Sequence, residues 1–274
     1  MTVTSAGYRG HRSATDRGTG LYLELMKRCL ANWIFRDMAN TTLGRDPRNE
    51  GMPWRGGPEA MLASWREPSH SMAGLKRLDN VQFCVEDVLT RRVPGDLIET
   101  GVWRGGVPIL MRAVLAAYGV TDRSVWVADS FEGLPPPNAA LYPADAGLDL
   151  HRISELAVSL EQVQSHFERY DLLDGQVRFL KGWFRDTLPH APIERLAVAR
   201  LDGDLYESTM DALTHLYPKL SVGGYLIVDD YGAILACREA VHDYRAAHGI
   251  TDQILPIDWT GVYWQRTAEG SPRR

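Results

Sequence analysis

From Pro94 onward the chain repeats one pattern: a short apolar run, a turn opening on a glycine or an acid, then helical spacing. The runs are residues 96–100 (DLIET, into Gly101), 124–128 (SVWVA, into Asp129), 177–181 (VRFLK, into Gly182), 196–201 (LAVARL, into Asp202) and 225–228 (YLIV, into Asp229 and Asp230). Helical spacing covers 107–118, 156–170, 208–220 and 233–248, with Ser221-Val222-Gly223-Gly224 closing the third of these. Strands that alternate with helices are joined by crossovers and pair in parallel. Residues 254–257 and 262–265 flank Thr260-Gly261 with no helix between them, which predicts an antiparallel pair at one edge. The expected fold class is α/β, a Rossmann-like, mostly parallel sheet with an antiparallel C-terminal edge. Such sheets bind ligands outside the carboxyl ends of their strands, where this chain has its acids and glycines.

The first 93 residues follow other rules. Residues 1–20 are polar and glycine-rich and predict a flexible N-terminus. Residues 21–35 place Leu21, Leu25, Leu30 and Trp33 at the spacing of an amphipathic helix. Residues 40–68 are rich in Gly, Pro, Arg and Trp and predict a long loop or lid, a usual carrier of function in a compact enzyme. Residues 71–89 return to helical spacing through Met72, Leu75, Leu78, Val81, Val85, Val88 and Leu89. Three units are expected: 1–20, a helical region with a lid over 21–93, and the sheet-bearing core over 94–274. At 274 residues with 45% hydrophobic side chains the chain can bury a sizeable core.

A net charge of −5 argues against a general grip on phosphate backbones, so no nucleic-acid partner is expected. No apolar run reaches the roughly 18 residues of a membrane helix, so no membrane partner is expected. The N-terminus lacks the apolar stretch of a secretory signal. Cys29, Cys84 and Cys237 are odd in number and scattered, without metal-type spacing. A reducing, cytoplasmic location is the expectation.

The first strand runs through Glu99-Thr100-Gly101-Val102-Trp103-Arg104-Gly105-Gly106 into a helix. Glycines let a backbone turn sharply against a ligand, and a helix N-terminus offers free N–H groups. The spacing is not G-x-G-x-x-G, so the pyrophosphate fingerprint of a dinucleotide enzyme is missing. An acid before the glycine suits a cationic group, such as the ammonium of S-adenosylmethionine; the alternative is an ordinary tight turn. Asp129, ahead of Ser130 and Phe131, is placed to accept from two ribose hydroxyls, or else to cap a helix. Trp183, after Gly182, is placed to stack on adenine, or else to fill the core.

Asp202 and Asp204 follow the fourth strand in LDGDLYEST, and Asp229 and Asp230 follow the fifth in LIVDDYG. Adjacent strand ends bring these acids to one rim, where crowded negative charge raises pKa values unless neutralised. A hard divalent cation does this, and magnesium keeps positions open for substrate oxygens; manganese is the alternative. The chemistry that fits is activation of a hydroxyl by the metal, with a carboxylate taking the proton. The competing reading is that these acids cap helices or pair with arginines. No Cys–His or Ser–His pair stands out.

Together IETGVWRGG, VWVADSFEGLP, RLDGDLYEST and GGYLIVDDYG resemble the macrocin O-methyltransferase family, metal-dependent enzymes that finish deoxysugars on antibiotics. The resemblance spans residues 21–266 and implies the S-adenosylmethionine-dependent methyltransferase fold. It further implies Asp202, Asp229 and Asp230 as magnesium ligands and Asp202 or Asp204 as general base. Glu99, Thr100, Gly101, Trp103, Asp129, Ser130, Phe131, Gly182 and Trp183 would hold the cofactor. A glycosylated small-molecule acceptor, an acceptor lid over 40–68 and a homo-oligomer are implied as well. A catechol-type small-molecule O-methyltransferase would share the acids and is the alternative reading.

Overall fold

In a computed structural model, which describes residues 17–34 and 69–267, the strands are β1 (Asp96–Thr100), β2 (Val125–Asp129), β3 (Val177–Lys181), β4 (Leu196–Leu201), β5 (Leu220–Val228), β6 (Leu255–Pro256) and β7 (Val262–Gln265). They form one seven-stranded sheet in the order β3-β2-β1-β4-β5-β7-β6. Pairing is parallel from β3 through β5 and antiparallel at β5–β7 and β7–β6, as the missing late helix requires. The helices are α1 (Arg17–Leu30), α2 (Leu75–Thr90), α3 (Gly106–Ala117), α4 (Leu160–Arg169), α5 (Phe184–Thr187), α6 (Tyr206–Leu216) and α7 (Leu235–His248). A capping box between Ser159 and Gln162 starts α4.

Each strand feeds two cores, because successive side chains leave opposite faces. Leu97, Val125 and Val127 pack on one side with the buried faces of α1, α2 and α3. Ile98, Trp126, Ala128 and Leu226 pack on the other with Leu213, Leu216 and Val241 of α6 and α7. Among the described residues no helix is long and apolar enough to cross a membrane.

Three expectations change. The helix expected over 21–35 begins at Arg17 and ends at Leu30, so residues 17–20 are its first turn. Its buried face is Leu23, Met26, Lys27 and Leu30, an i, i+3, i+4, i+7 set, while Leu21 and Leu25 stand 62% and 53% exposed. Ser221–Gly224, read as a turn, lies inside β5. Between the pairs Leu196↔Leu220 and Val198↔Tyr225 the strand carries extra residues, an irregularity that Gly223 enters at φ +85°. A Cβ on Gly224 would lie 2.6 Å from the Ala197 carbonyl oxygen, so only glycine lets β5 run this close to β4. Of the flexible segment expected over 1–20, residues 17–20 are helical and residues 1–16 lie outside the described residues, as does the lid expected over 40–68.

Candidate active site

The carboxyl ends of β1, β2, β3 and β4 open into a cleft of about 750 Å³, counting its mouth, with the end of β5 beside that of β4. Its walls are drawn together by backbone bonds between strand ends: Gly101 N–H to Ala128, Asp202 N–H to Thr100, and Asp229 N–H to Leu201, each at 2.9 Å. Gly101 sits at φ +79°, where a Cβ would collide with the Asp202 carbonyl oxygen. A side chain there would push the first and fourth strand turns apart.

At one end of the cleft, Asp129 is held by neutral donors. Its Oδ2 accepts from Val102 N–H and its Oδ1 from Phe131 N–H, both at 2.7 Å, with the Ser130 hydroxyl at 3.3 Å. Burial raises its pKa and these bonds oppose the rise. The Trp103 N–H is a further backbone donor, so every group that holds this carboxylate is neutral. Trp103, at φ +48°, donates its indole N–H to the Glu155 carbonyl at 2.9 Å, and the Arg104 guanidinium lies 4.1 Å over its ring. Arg104 also donates to the Ser69 carbonyl at 2.8 Å, tying the Met72 segment to this wall.

At the other end acids and arginines meet. Arg200, 1% exposed and pointing off β4, bonds Glu99, Asp202 and Asp229. Arg77 comes from α2 to bond Asp229 and, at 3.0 Å, Asp258 in the loop before β7. Burial would raise the Asp229 pKa, but Arg200 and Arg77 hold it below the ordinary carboxylate value. Its neighbours move the other way. Burial and then Asp229 push Asp202 to about 6. Burial, Asp202 and Asp229 push Asp204 to about 8. Burial and the surrounding acids push Asp230 well above the usual range. Asp230 Oδ2 accepts from Asp204 N–H at 3.2 Å, and Asp204 itself sits at φ +59°. One oxygen each from Asp202, Asp229 and Asp230 lies within 4.8 Å of the others, an arrangement able to hold a metal ion.

The structure thus brings Gly101, Trp103, Asp129, Ser130, Trp183, Asp202 and Asp204 to one cleft. It places four expected cofactor residues elsewhere. Glu99 is buried on Arg200, because its position in β1 faces the arginine and not the cleft. Thr100 is fully buried beside it. Phe131 turns its ring into the core against Phe179, with centroids 6.3 Å apart. Gly182 shapes the β3 turn at φ +139° without lining the cleft.

Arg200, Arg77 and Asp145 escaped the sequence reading. Arg200 had a signal: a charge in the otherwise apolar LAVARL must find buried partners. Asp145 had none, since its carboxylate reaches across 61 residues to accept from Tyr206 N–H (2.6 Å) and Glu207 N–H, supplying the first turn of α6 with the cap its own sequence lacks.

A doubly wound sheet with an antiparallel C-terminal edge, and a cleft at its switch from β1 to β4, is the frame of an S-adenosylmethionine-dependent O-methyltransferase. The solved structure of the O-methyltransferase NovP aligns with a TM-score of 0.82 at 54% identity, covering 91% of this chain and 100% of that one. The chain belongs to the macrocin-O-methyltransferase (TylF) family, whose profile matches residues 19–266. It is 57% identical over 255 residues to the 8-demethyl-8-(2,3-dimethoxy-alpha-L-rhamnosyl)-tetracenomycin-C 4'-O-methyltransferase of Streptomyces olivaceus, covering 93% of this chain and 95% of that one. It is 53% identical over 262 residues to the demethyldecarbamoylnovobiocin O-methyltransferase of Streptomyces niveus, covering 92% and 96%.

Proposed function

We propose that this chain methylates a hydroxyl of a deoxysugar carried by an antibiotic-type natural product, with a divalent metal at the acidic rim. The observation that carries the reading is the convergence of Asp202, Asp229 and Asp230 within 4.8 Å, on the same rim as the cleft between Trp103 and Trp183. The sugar class is supported by the relative that acts on a rhamnosyl tetracenomycin.

The donor set fits a hard cation. Arg200 and Arg77 offset only part of the charge of Glu99, Asp202, Asp204, Asp229, Asp230 and Asp258, and the raised pKa values of Asp202, Asp204 and Asp230 register what is left. Magnesium or manganese would be held by Asp202, Asp229 and Asp230, and when bound it supplies positive charge that acidifies a neighbouring hydroxyl.

The residues of the chain then divide the work. Gly101, Trp103, Asp129, Ser130 and Trp183 hold S-adenosylmethionine, with Asp129 accepting from its ribose. Asp204 is the better general base of the two candidates. Asp202 already accepts from Arg200 at 2.8 Å, whereas Asp204 lines the cleft and receives no arginine among the described residues. S-adenosylmethionine, when bound, would supply the methyl group and leave as S-adenosylhomocysteine, and Asp204 would take the proton of the sugar hydroxyl that accepts it. The rest is alignment of oxygen, carbon and sulfur.

The test is methyl transfer from S-adenosylmethionine to a panel of deoxysugar-bearing natural products and simple catechols, with magnesium or with chelator. Transfer to one sugar hydroxyl that stops with chelator and returns with magnesium is expected. Transfer indifferent to chelator removes the metal, and transfer confined to catechols removes the sugar.

A further inference from the structure

The cleft has a second acidic corner, apart from the carboxylates assigned to the metal and to the proton transfer. Glu207 and Asp211 stand one turn apart on α6, and both line the cleft. Glu207 is 7% exposed; its Oε1 takes a long bond from Arg185 Nη1 at 3.4 Å, and its Oε2 has no hydrogen-bond partner. A buried carboxylate oxygen without a donor is costly. Like charges four residues apart on a helix add repulsion, and burial together with Glu207 raises the Asp211 carboxyl to about 6. The corner is built for a hydrogen-bond donor that arrives with a ligand.

The layout says which donor. Arg185, the partner of Glu207, follows Trp183 by two residues at the end of β3. Phe184 closes the gap between them: a Cβ on Gly203 would lie 3.2 Å from its ring and 3.0 Å from Ser208. The floor therefore runs unbroken from Trp183, past Gly203, to the first turn of α6. Asp129, the ribose acceptor, ends β2, and β3 is the next strand outward. A base stacked on Trp183 would have Glu207 within the same cleft, since Arg185, two residues after Trp183, reaches Glu207 Oε1 at 3.4 Å. The far edge of adenine carries an exocyclic amine with two N–H donors.

We infer that Glu207 Oε2 accepts a hydrogen bond from the exocyclic amine of the cofactor's adenine and is the residue that distinguishes adenine from other purines. This rests on the reading that the cleft holds S-adenosylmethionine. A carboxylate at that edge accepts from an amine and repels the carbonyl that hypoxanthine carries in its place. Sites built around such a bond discriminate strongly against ligands that lack the donor.

The experiment is calorimetry of the full chain with S-adenosylhomocysteine and with S-inosylhomocysteine, for the wild type and for Glu207→Gln. The wild type is expected to favour the adenosyl ligand by about tenfold or more. Glu207→Gln, which keeps the shape and can donate to the carbonyl, is expected to shrink that ratio by about tenfold. Equal ratios in the two proteins overturn the inference while leaving the cofactor reading intact. No binding of S-adenosylhomocysteine to the wild type overturns both. If the variant folds poorly, the wild-type ratio decides alone, and a ratio near one overturns the assignment.

Discussion

The two ends of the cleft solve one problem in opposite ways. Each buries a carboxylate at the carboxyl end of a strand. At β2, Asp129 is held by the neutral backbone N–H groups of Val102 and Phe131 and by the Ser130 hydroxyl. At β4 and β5 the acids meet ionised arginines, Arg200 and Arg77. Neutral donors fix the direction of the carboxylate's lone pairs without adding charge. Arginines fix charge, and because they are outnumbered by carboxylates the pKa values of Asp202, Asp204 and Asp230 stay raised. One sequence signal, a strand ending in aspartate, therefore produces two opposite electrostatic settings.

The largest way to break this comparison is Arg200→Met. Removing one partner from a buried ion network strands the others, at roughly 3–5 kcal/mol. Urea unfolding at pH 7 should register that loss, or a failure to fold. Arg104→Met, at the neutral end, removes a cation–π contact and one bond to the Ser69 carbonyl and should lose only about 1–2 kcal/mol. Equal losses would mean that Arg200 is no keystone.

A paired substitution sharpens it. Asp230 is buried among Asp204, Asp202 and Asp229 and holds its proton well above the usual range, so its charge is a liability to the fold. Asp230→Asn should leave thermal stability unchanged or raise it, while magnesium-supported methyl transfer falls by at least about 100-fold. Asp129→Asn does the reverse. It turns an amide toward a backbone N–H, loses roughly 1–3 kcal/mol of stability, and weakens S-adenosylmethionine binding in calorimetry. If Asp230→Asn melts as early as Asp129→Asn, the two ends do not differ in the way described.

Much of this was legible in the residues. The bounds of β1, β3, β4 and β7 follow from short apolar runs closed by a glycine, an acid or a polar turn, because a buried parallel strand is apolar on both faces. The rim of Asp202, Asp204, Asp229 and Asp230 was legible too, since adjacent strands share an end. What was not legible depends on contacts far apart in the chain. Glu99 reads as a ligand residue from its place before Gly101, but Arg200, 101 residues later, takes it into the core. Arg77 reaches Asp229 across 152 residues. The face of α1 was misread because a helix rich in apolar residues supports more than one stripe, and only packing selects Leu23 over Leu21.

The smallest expected effect separates the two ends by pH. His70 lies at the neutral end, with its Nδ1 2.8 Å from the Tyr170 hydroxyl and its ring 4.4 Å from that of His166. Burial, then His166, Arg169 and Arg104, lower its pKa from 6.5 to about 4. Between those values the unfolded chain takes up a proton that the folded chain refuses, so this histidine removes stability as pH falls from 6.5 toward 4. The acidic rim has the opposite slope. Asp202 at about 6 and Asp204 at about 8 bind protons in the folded state that the unfolded state releases, so acidification through the same window stabilises that end. The two slopes oppose each other in the wild-type profile. His70→Gln removes one component and keeps a side chain able to bond Tyr170. Its unfolding free energy should therefore drop less than the wild type's between pH 6.5 and 4.5, by about 1 kcal/mol once partial exposure of the ring is allowed for. Parallel profiles in urea titrations would show that His70 is protonated as readily folded as unfolded, and that the neutral end owes nothing to its histidines.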